Sequence, residues 1–571
     1  MKKRWAEISS PPAAVVERLA SDLKIDKKLA SLLVNRGITT FEEAHTWFRP
    51  SLEHLHAPLL MKDMHRAVVR LQAALAQEEK ILVYGDYDVD GTTAVALVYK
   101  FLKTMCNHID FYIPDRYAEG YGISFQGIDY AKENGFTLII ALDCGIKAND
   151  KVDYAKSKGI DFIICDHHLP GEKLPDAIVL DPKRADCPYP YKELSGCGIG
   201  FKFMQAFAEA NQVPFESLLD FIDLVAVSTA SDIVPITGEN RILTYHGLLK
   251  INENPSRGIG TILSVSGKKS PLTVSNLVFI VGPRINAAGR MTTGKHAVEL
   301  LIADDEKSSV EFAALLNDIN QERRTVDQQL TAQALEMIGS DENMRNAKTT
   351  VLYNPEWHKG VIGIVASRLT ETYYRPTILF GGGNARPDEP VGRGKATGSA
   401  RSVEGFDVHA AIEKCADLLE QFGGHKYAAG LTIKPENIPA FAKKFEKVVA
   451  ASIEPHMLIP SIIVDQTLED FSLLRSTNTE PLPKFYRVLK QMEPFGPHNQ
   501  IPVFMTKNLK AAYPPRLLTG NHLKLTVCQA ENPELKIDAI GFGLGDFCEP
   551  ILSGAGFDMV YSVEENEWNG K

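Results

Sequence analysis

Between Tyr84 and Ala94 the chain reads YGDYDVDGTTA, which places Asp86, Asp88 and Asp90 at alternate positions ahead of a glycine and two threonines. Carboxylates this close repel one another, and burying them unpaired would drive some to protonate. More acids follow: Asp143 after the apolar run TLIIAL, Asp166 with His167 and His168 as a DHH triplet after DFIIC, and Asp232 in VSTASDIVPI. Divalent cations remove the penalty. Carboxylate with imidazole suits Mn2+ or Mg2+, Zn2+ also fits, and no preference for thiolate is visible. Asp86, Asp88, Asp90, Asp143, His167 and Asp232 are too many ligands for one ion. They suit two, about 3.5–4 Å apart and bridged by a shared carboxylate, an arrangement that serves hydrolysis.

Taken singly, each residue has a plainer reading. An Asp after a strand usually caps a helix or closes a turn. Asp181 in AIVLDPKR reads that way, and Asp86 alone would do no more than orient its loop. The metal reading rests on the order D-x-D-x-D-G, strand–Asp and strand–DHH along one sheet.

The elements that must hold these residues are legible from Lys80 onward. ILVY, IDFYI, TLIIAL, DFIIC and AIVL are short apolar runs rich in β-branched residues, and segments of helical length such as TTAVALVYKFLKTM separate most of them. Buried strands alternating with helices predict a doubly wound parallel sheet. Ligands of such sheets gather beyond the carboxyl ends of the strands, where these acids fall. Asp232 follows a helical segment that would return the chain to the same edge.

Residues 1–75 read as short helices with polar breaks, and 76–295 as the α/β domain. Residues 296–345 read as a connecting helix, from the long amphipathic run nearly free of Gly and Pro. A second α/β unit spans 346–455, and residues 456–571, with alternating runs such as SIIVDQTL and HLKLTV, predict an OB-like β-barrel.

In the second half, the Gly-rich GRGKATGSARS offers backbone N–H groups to an anion, with Ser399 and Arg401 beside them. Arginine's planar fork suits phosphate oxygens. FGGHKYAAG adds His425. Arg116 in IPDRYAEGYG, Arg284 and Arg290 in GPRINAAGRM, and His358 in EWHKG are further candidates for phosphate contact.

Composition bounds the rest. The 571 residues, 44% hydrophobic and 23% charged, suit a folded protein of three to four domains. No apolar run is long enough for a membrane span, and the basic N-terminus lacks the apolar core of a secretory signal. Eight cysteines without a C-x-x-C pair argue against a disulfide framework or zinc knuckle and fit a reducing cytoplasm. The net charge of −10 disfavours non-specific coating of nucleic acid but leaves room for a local basic channel.

YGDYDVDG, LDCGI, DHH and SDIVP, followed by GPRINAAGRM, WHKGVIGIVASRL, GSARS and FGGHKYAAG, resemble the motif series of the DHH phosphoesterases. Over essentially the whole chain the series is similar to the RecJ exonuclease family. The resemblance implies a two-Mn2+ or two-Mg2+ nuclease that degrades single-stranded DNA from the 5′ end to mononucleotides. It implies that Asp88 and Asp90 each contact one metal and that Asp143 bridges both, with His167 and Asp232 completing the second site. His168 would face the scissile phosphate, oriented by Asp166, and residues 346–455 would form the DHH-associated domain that closes over the nucleic-acid end. A monomer working with a helicase or single-strand-binding protein follows from the same resemblance. One position departs: Tyr84 stands where many relatives have a His ligand, which leaves the first metal's remaining position to Asp86 or water. Two alternatives use the same residues differently: a phosphodiesterase for short oligonucleotides or cyclic dinucleotides, and a non-catalytic DNA-binding scaffold.

Overall fold

The computed structural model describes residues 3–383, 394–476 and 482–565. Two compact units divide the chain, one spanning Leu55–Pro460 and the other built from residues up to His54 together with those from Ser461 onward. In the discontinuous unit a short strand, β1 (Arg4–Glu7), precedes three helices, Ala13–Leu23, Lys27–Asn35 and Phe41–Phe48. Asp26 caps the second helix by accepting from the Lys28 N–H, and Thr40 with Glu43 forms a capping box on the third.

The larger unit opens with a five-stranded sheet of β2 (Lys80–Gly85), β3 (Ile109–Tyr112), β4 (Phe136–Leu142), β5 (Asp161–Cys165) and β6 (Ile178–Leu180). The strands run parallel in the order β3-β2-β4-β5-β6, the doubly wound α/β arrangement the sequence predicts. Its centre is dry: Ile81–Val83, Leu138–Leu142, Ile163 and Ile164 are fully buried, which is why these strands read as unbroken apolar runs. Between β2 and β4 the chain reverses its direction of winding, and open sheets of this order bind ligands at that crevice. Asp86, Asp88 and Asp90 leave the end of β2, and Asp143 leaves the end of β4.

After the sheet come helices, among them Gly196–Ala210, Ile222–Ser231 and Gly282–Met291, and then the 35-residue helix Glu306–Ser340. This long helix packs against the helix Ile362–Tyr373 of the next layer, with Leu330, Ala334 and Ile338 in a shared core with Val361, Val365 and Leu369. A second sheet follows: β7 (Thr350–His358), β8 (Thr377–Gly383), β9 (Ala396–Arg401), β10 (Gln421–His425) and β11 (Ala428–Ile433). Its order is β10-β11-β9-β8-β7, parallel only between β7 and β8. Part of the predicted Gly-rich loop, 384–393, lies outside the described residues.

In the discontinuous unit, β12 (Ser461–Val464) pairs in parallel with β1. The barrel expected near the C-terminus is present as β13 (Gln466–Thr467), β14 (Phe504–Ala511), β15 (Arg516–Leu518), β16 (His522–Gln529), β17 (Ile537–Gly541) and β18 (Phe557–Tyr561). Its interior (Phe471, Phe504, Leu523, Val527) forms one core with Leu19, Leu29 and Leu33 of the first two helices. Among the described residues no helix is long and apolar enough to cross a membrane.

Candidate metal centre and anion clamp

The acidic edge assembles as two clusters joined by a third group, Asp143, His167 and His168, which shares a residue with each. Asp86, Asp88 and Asp143 bring oxygens within 4.8 Å of one another, and so do the ligand atoms of Asp90, His167 and Asp232. His167 Nε2 lies 3.2 Å from Asp143 Oδ1, 3.5 Å from Asp232 Oδ2 and 3.7 Å from Asp90 Oδ2, so it spans the gap between the clusters.

Local structure fixes each acid. Asp88 caps the helix Val89–Lys103, accepting from the Gly91 N–H at 3.0 Å. Asp90 is held across the sheet by the N–H groups of Gly196 (2.6 Å) and Cys197 (2.7 Å) and by the Ser228 hydroxyl (2.6 Å). Position 196 has to be glycine, because a Cβ there would meet the Asp143 Cβ at 2.6 Å. Asp143 itself adopts φ +60°, a left-handed conformation that costs a non-glycine residue of order 1–3 kcal/mol and turns its carboxylate toward the edge. Asp232 ends the helix Ile222–Ser231 and reaches the same place from the opposite direction.

Electrostatics agree with an unfinished charge balance. Burial, then the charge of Asp88, pushes Asp86 well above the carboxylate range, and burial with Asp90 and Asp88 does the same to Asp143. Asp88 is raised by burial and by Asp90, and Asp232 is pushed up to about 8 by burial and by Asp90 and Asp88. Both Asp86 oxygens, Asp143 Oδ1 and both His167 ring nitrogens are buried without a hydrogen-bond partner. The N–H groups of Tyr87 and Gly122 approach Asp86 without completing one. Orphaned carboxylate oxygens beside an orphaned imidazole form a donor set suited to hard divalent cations.

His168 is held differently. Asp166, buried, accepts from His168 Nδ1 at 2.8 Å and from the N–H groups of Ile146, His167 and His168. Burial opposes the imidazolium, yet the Asp166 bond wins and raises His168 to about 9. The other ring nitrogen, Nε2, sits 3.2 Å from the Tyr121 hydroxyl. Asp181 is a turn residue as expected, accepting from the Lys183 N–H at 2.6 Å, and burial raises it to about 7.

Tyr84 does not face the metal edge. Its hydroxyl donates to Gly122 O at 3.0 Å and accepts from the Ser124 N–H at 3.1 Å, while Asp86 takes part in the first cluster.

Beside the acids lies a group of arginines. Arg116 stacks over the Tyr87 ring at 4.9 Å, and Tyr87 is pinned by close approach of the helix Gly282–Met291, where a Cβ on Gly289 would meet Tyr87 O at 2.6 Å. That helix carries Arg290, which donates to Gly360 O at 3.3 Å; Tyr117 in turn donates to Arg290 O. Burial first, then the charges of Arg116, Arg401 and Arg323, lowers Arg290 to about 10. Arg401 extends from β9 with Nε on Ser367 Oγ (3.1 Å) and Nη1 on Ser399 Oγ (2.9 Å). Among the described residues no ion pair holds Arg116, Arg290 or Arg401. His358 accepts from the Gly360 N–H and lies edge-on to Tyr117.

Two of the candidate residues lie apart from this cluster. Arg284 bonds Ile280 O and Asn317 and neighbours Arg324 instead of Arg290. His425 is exposed on β10, separated from Arg401 by β11. Sequence reading missed Arg323, whose guanidinium joins the cluster from the long helix beside Asp327 (3.5 Å), and Tyr121 against His168. An Arg in an amphipathic helix gives no local signal, whereas the GYG around Tyr121 marks a tight loop.

On the barrel, Lys507, Lys510, Arg516 and Lys524 are exposed, and so are Tyr513 and Phe542, the last stacked edge-on against His522.

A parallel sheet with this acidic switch-point edge, followed by a second α/β domain that presents arginines, defines the DHH phosphoesterase class. Family models agree: the DHH family N-terminal domain matches residues 80–229, the DHHA1 domain 346–451 and the RecJ OB domain 477–571. The chain is 35% identical to the single-stranded-DNA-specific exonuclease RecJ of Bacillus subtilis, over all of this chain and 70% of that protein. It is 33% identical to RecJ of Salmonella typhimurium, over 95% and 93%. The crystal structure of Thermus thermophilus RecJ with Mn2+ superposes with a TM-score of 0.83 at 28% identity, covering 100% of this chain and 78% of that one. The chain belongs to the RecJ family.

Proposed function

We propose that this protein hydrolyses single-stranded DNA from its 5′ end, releasing 5′-mononucleotides, with a pair of Mn2+ or Mg2+ ions. The observation that carries the reading is the juxtaposition, within one compact unit, of a carboxylate-rich edge with orphaned ligand atoms and three arginines, Arg116, Arg290 and Arg401, that among the described residues have no carboxylate partner. Asp86, Asp88 and Asp143 would hold one ion, and Asp90, His167 and Asp232, with Asp143 shared, the other. When bound, such a pair acidifies water and neutralises charge on the transferring phosphoryl group.

The chain's own residues do the rest. Arg401 with Ser399, and Arg116 and Arg290, bind the terminal 5′ phosphate, with His358 at the same turn. This sets the first phosphodiester beside the acids and makes the action exonucleolytic. Asp166 fixes His168 through Nδ1 and favours its imidazolium form, so that Nε2–H would face the scissile phosphate and donate to a non-bridging oxygen. Water adds to the phosphorus of the second nucleotide and the P–O3′ bond breaks; the terminal nucleotide leaves as a 5′-mononucleotide whose 3′ oxygen takes up a proton, and the shortened strand keeps the new 5′ phosphate.

Division of labour follows the sequence: residues 76–295 carry the metals and, with Arg116 and Arg290, part of the phosphate grip, 346–455 supply the rest of that grip, and 456–571 the trailing strand. For that strand Lys507, Lys510, Arg516 and Lys524 supply charge, and Tyr513 and Phe542 supply stacking faces. Working as a cytoplasmic monomer beside a helicase or a single-strand-binding protein completes the reading.

The test is digestion of 5′- and 3′-labelled oligonucleotides, single-stranded and duplex, in Mn2+ with products sized. Mononucleotides from the 5′ end of single strands only are expected. Release from the 3′ end, internal cuts, or equal action on duplex would overturn the reading.

A further inference from the structure

Tyr84 raises a question that metal ligation leaves open, since its ring is fully buried yet its hydroxyl is turned away from the cations' edge. It is turned toward the loop from Ile113 to Ser124, which leaves β3 and leads into the helix Phe125–Glu133. The loop carries Arg116 at one end and Tyr121 at the other.

Its geometry is built from hydrogen bonds converging on two residues. Tyr84 donates to Gly122 O (3.0 Å) and accepts from the Ser124 N–H (3.1 Å), and its ring stacks on Tyr112 with centroids 5.3 Å apart. Glu119 is the second. Its Oε2 accepts from the hydroxyls of Ser124 (2.5 Å) and Tyr112 (3.0 Å), and its Oε1 reaches back to the Asp115 N–H at 2.7 Å. Asp115 answers by accepting from the N–H groups of Tyr117 and Ala118 (2.9 and 3.0 Å), so the turn holding Arg116 is closed from both sides.

We propose that Tyr84 and Glu119 are positioning residues that lock this loop to the metal-bearing strand, so that Arg116 meets the terminal phosphate and Tyr121 meets His168 in fixed register with the acids of β2. Tyr84 and Asp86 leave the same strand two residues apart, one toward the loop and one toward the cations. Ligand set and phosphate grip thereby share a single rigid reference. The inference rests on the 5′-phosphate reading above.

Tyr84→Phe keeps the ring and removes the hydroxyl; Glu119→Gln keeps the shape and weakens the acceptor. Each should raise KM for a 5′-phosphorylated strand about tenfold, the scale of one or two hydrogen bonds, with kcat within about twofold. Mn2+ affinity by calorimetry should stay at the wild-type value. Amide exchange should accelerate across 113–124 and not across β2 or β4, a readout independent of activity. Weaker Mn2+ binding in Tyr84→Phe would assign it to the metal instead. An unchanged KM with unchanged exchange in both variants, or a fall in kcat alone that tracks thermal stability, would overturn the proposal. If wild type ignores the 5′ phosphate while the variants still loosen residues 113–124, the loop anchor stands and the phosphate assignment fails.

Discussion

His167 Nε2 and Asp143 Oδ1 lie 3.2 Å apart although they leave different strands, β5 and β4, and neither atom has a hydrogen-bond partner. Asp143 is thus the residue common to both halves of the acidic edge, which makes it the sharpest point at which to test the site.

Asp143→Asn preserves volume and removes the charge. Hydrolysis of single-stranded DNA in Mn2+ should fall at least about a thousandfold, since several kcal/mol of transition-state stabilisation are at stake. Circular dichroism should match wild type. Retention of more than a tenth of the activity would count against a bridging carboxylate.

Without metal, stability should fall as pH rises. Asp86, Asp88 and Asp143 are raised, and Asp232 titrates near 8. The native state therefore keeps protons that the unfolded chain, with ordinary aspartates near 3.9, has released. Native binding of extra protons makes stability decline from about pH 4 to about pH 8. His168, raised to about 9, adds stability that is complete below its unfolded value and lost as pH passes about 9. Melting temperatures in EDTA from pH 5 to 9 should drop steadily, and Mn2+ should flatten the curve. An EDTA curve that rises over this window would contradict the shifts.

Arg401→Ala should weaken binding of 5′-phosphorylated ends about 10- to 100-fold, the scale of charge-assisted hydrogen bonds at 1.5–3 kcal/mol, while 5′-hydroxyl ends lose much less. Competition binding with both end chemistries measures this. Equal losses would make Arg401 a general backbone contact.

Lys202 is fully buried, with Nζ 3.2 Å from Glu239 Oε1 and 2.6 Å from His56 O. Lys202→Met would strand the Glu239 carboxylate, which also accepts from Tyr189 at 2.6 Å. A loss of about 3 kcal/mol is expected, read by urea unfolding, with Glu239→Gln in the same chain recovering part of it. No change in the midpoint would mean the pair is stabilised by neighbours alone.

How much of this was legible in the sequence follows from the range of the interactions. Runs such as TLIIAL declare buried strands because every neighbour in the run is itself buried, and an acid after each run marks the sheet's edge. Asp232 was reachable too, since a helix that follows a parallel strand must bring the chain back. Arg323 was not: its pairing with Asp327 is an ordinary i,i+4 contact within one helix, and its approach to Arg290 exists only once two helices have packed. Arg284 and Arg290 look alike in GPRINAAGRM, but six residues along a helix turn them to different faces, and only Arg290 meets Gly360. The pairing of β1 with β12 likewise depends on contacts between opposite ends of the chain.

That last pairing has a consequence for biosynthesis. Leu19, Leu29 and Leu33 are buried against residues such as Phe471 and Val527, so on the ribosome the first helices emerge long before the residues that will cover them. At roughly 5–20 residues per second the delay is on the order of tens of seconds, while the larger unit can already be complete. Nascent chains stalled at Pro460 should be cut by protease within residues 13–48 but protected across β2–β6; protection of both would show that these helices find cover without the last stretch of translation.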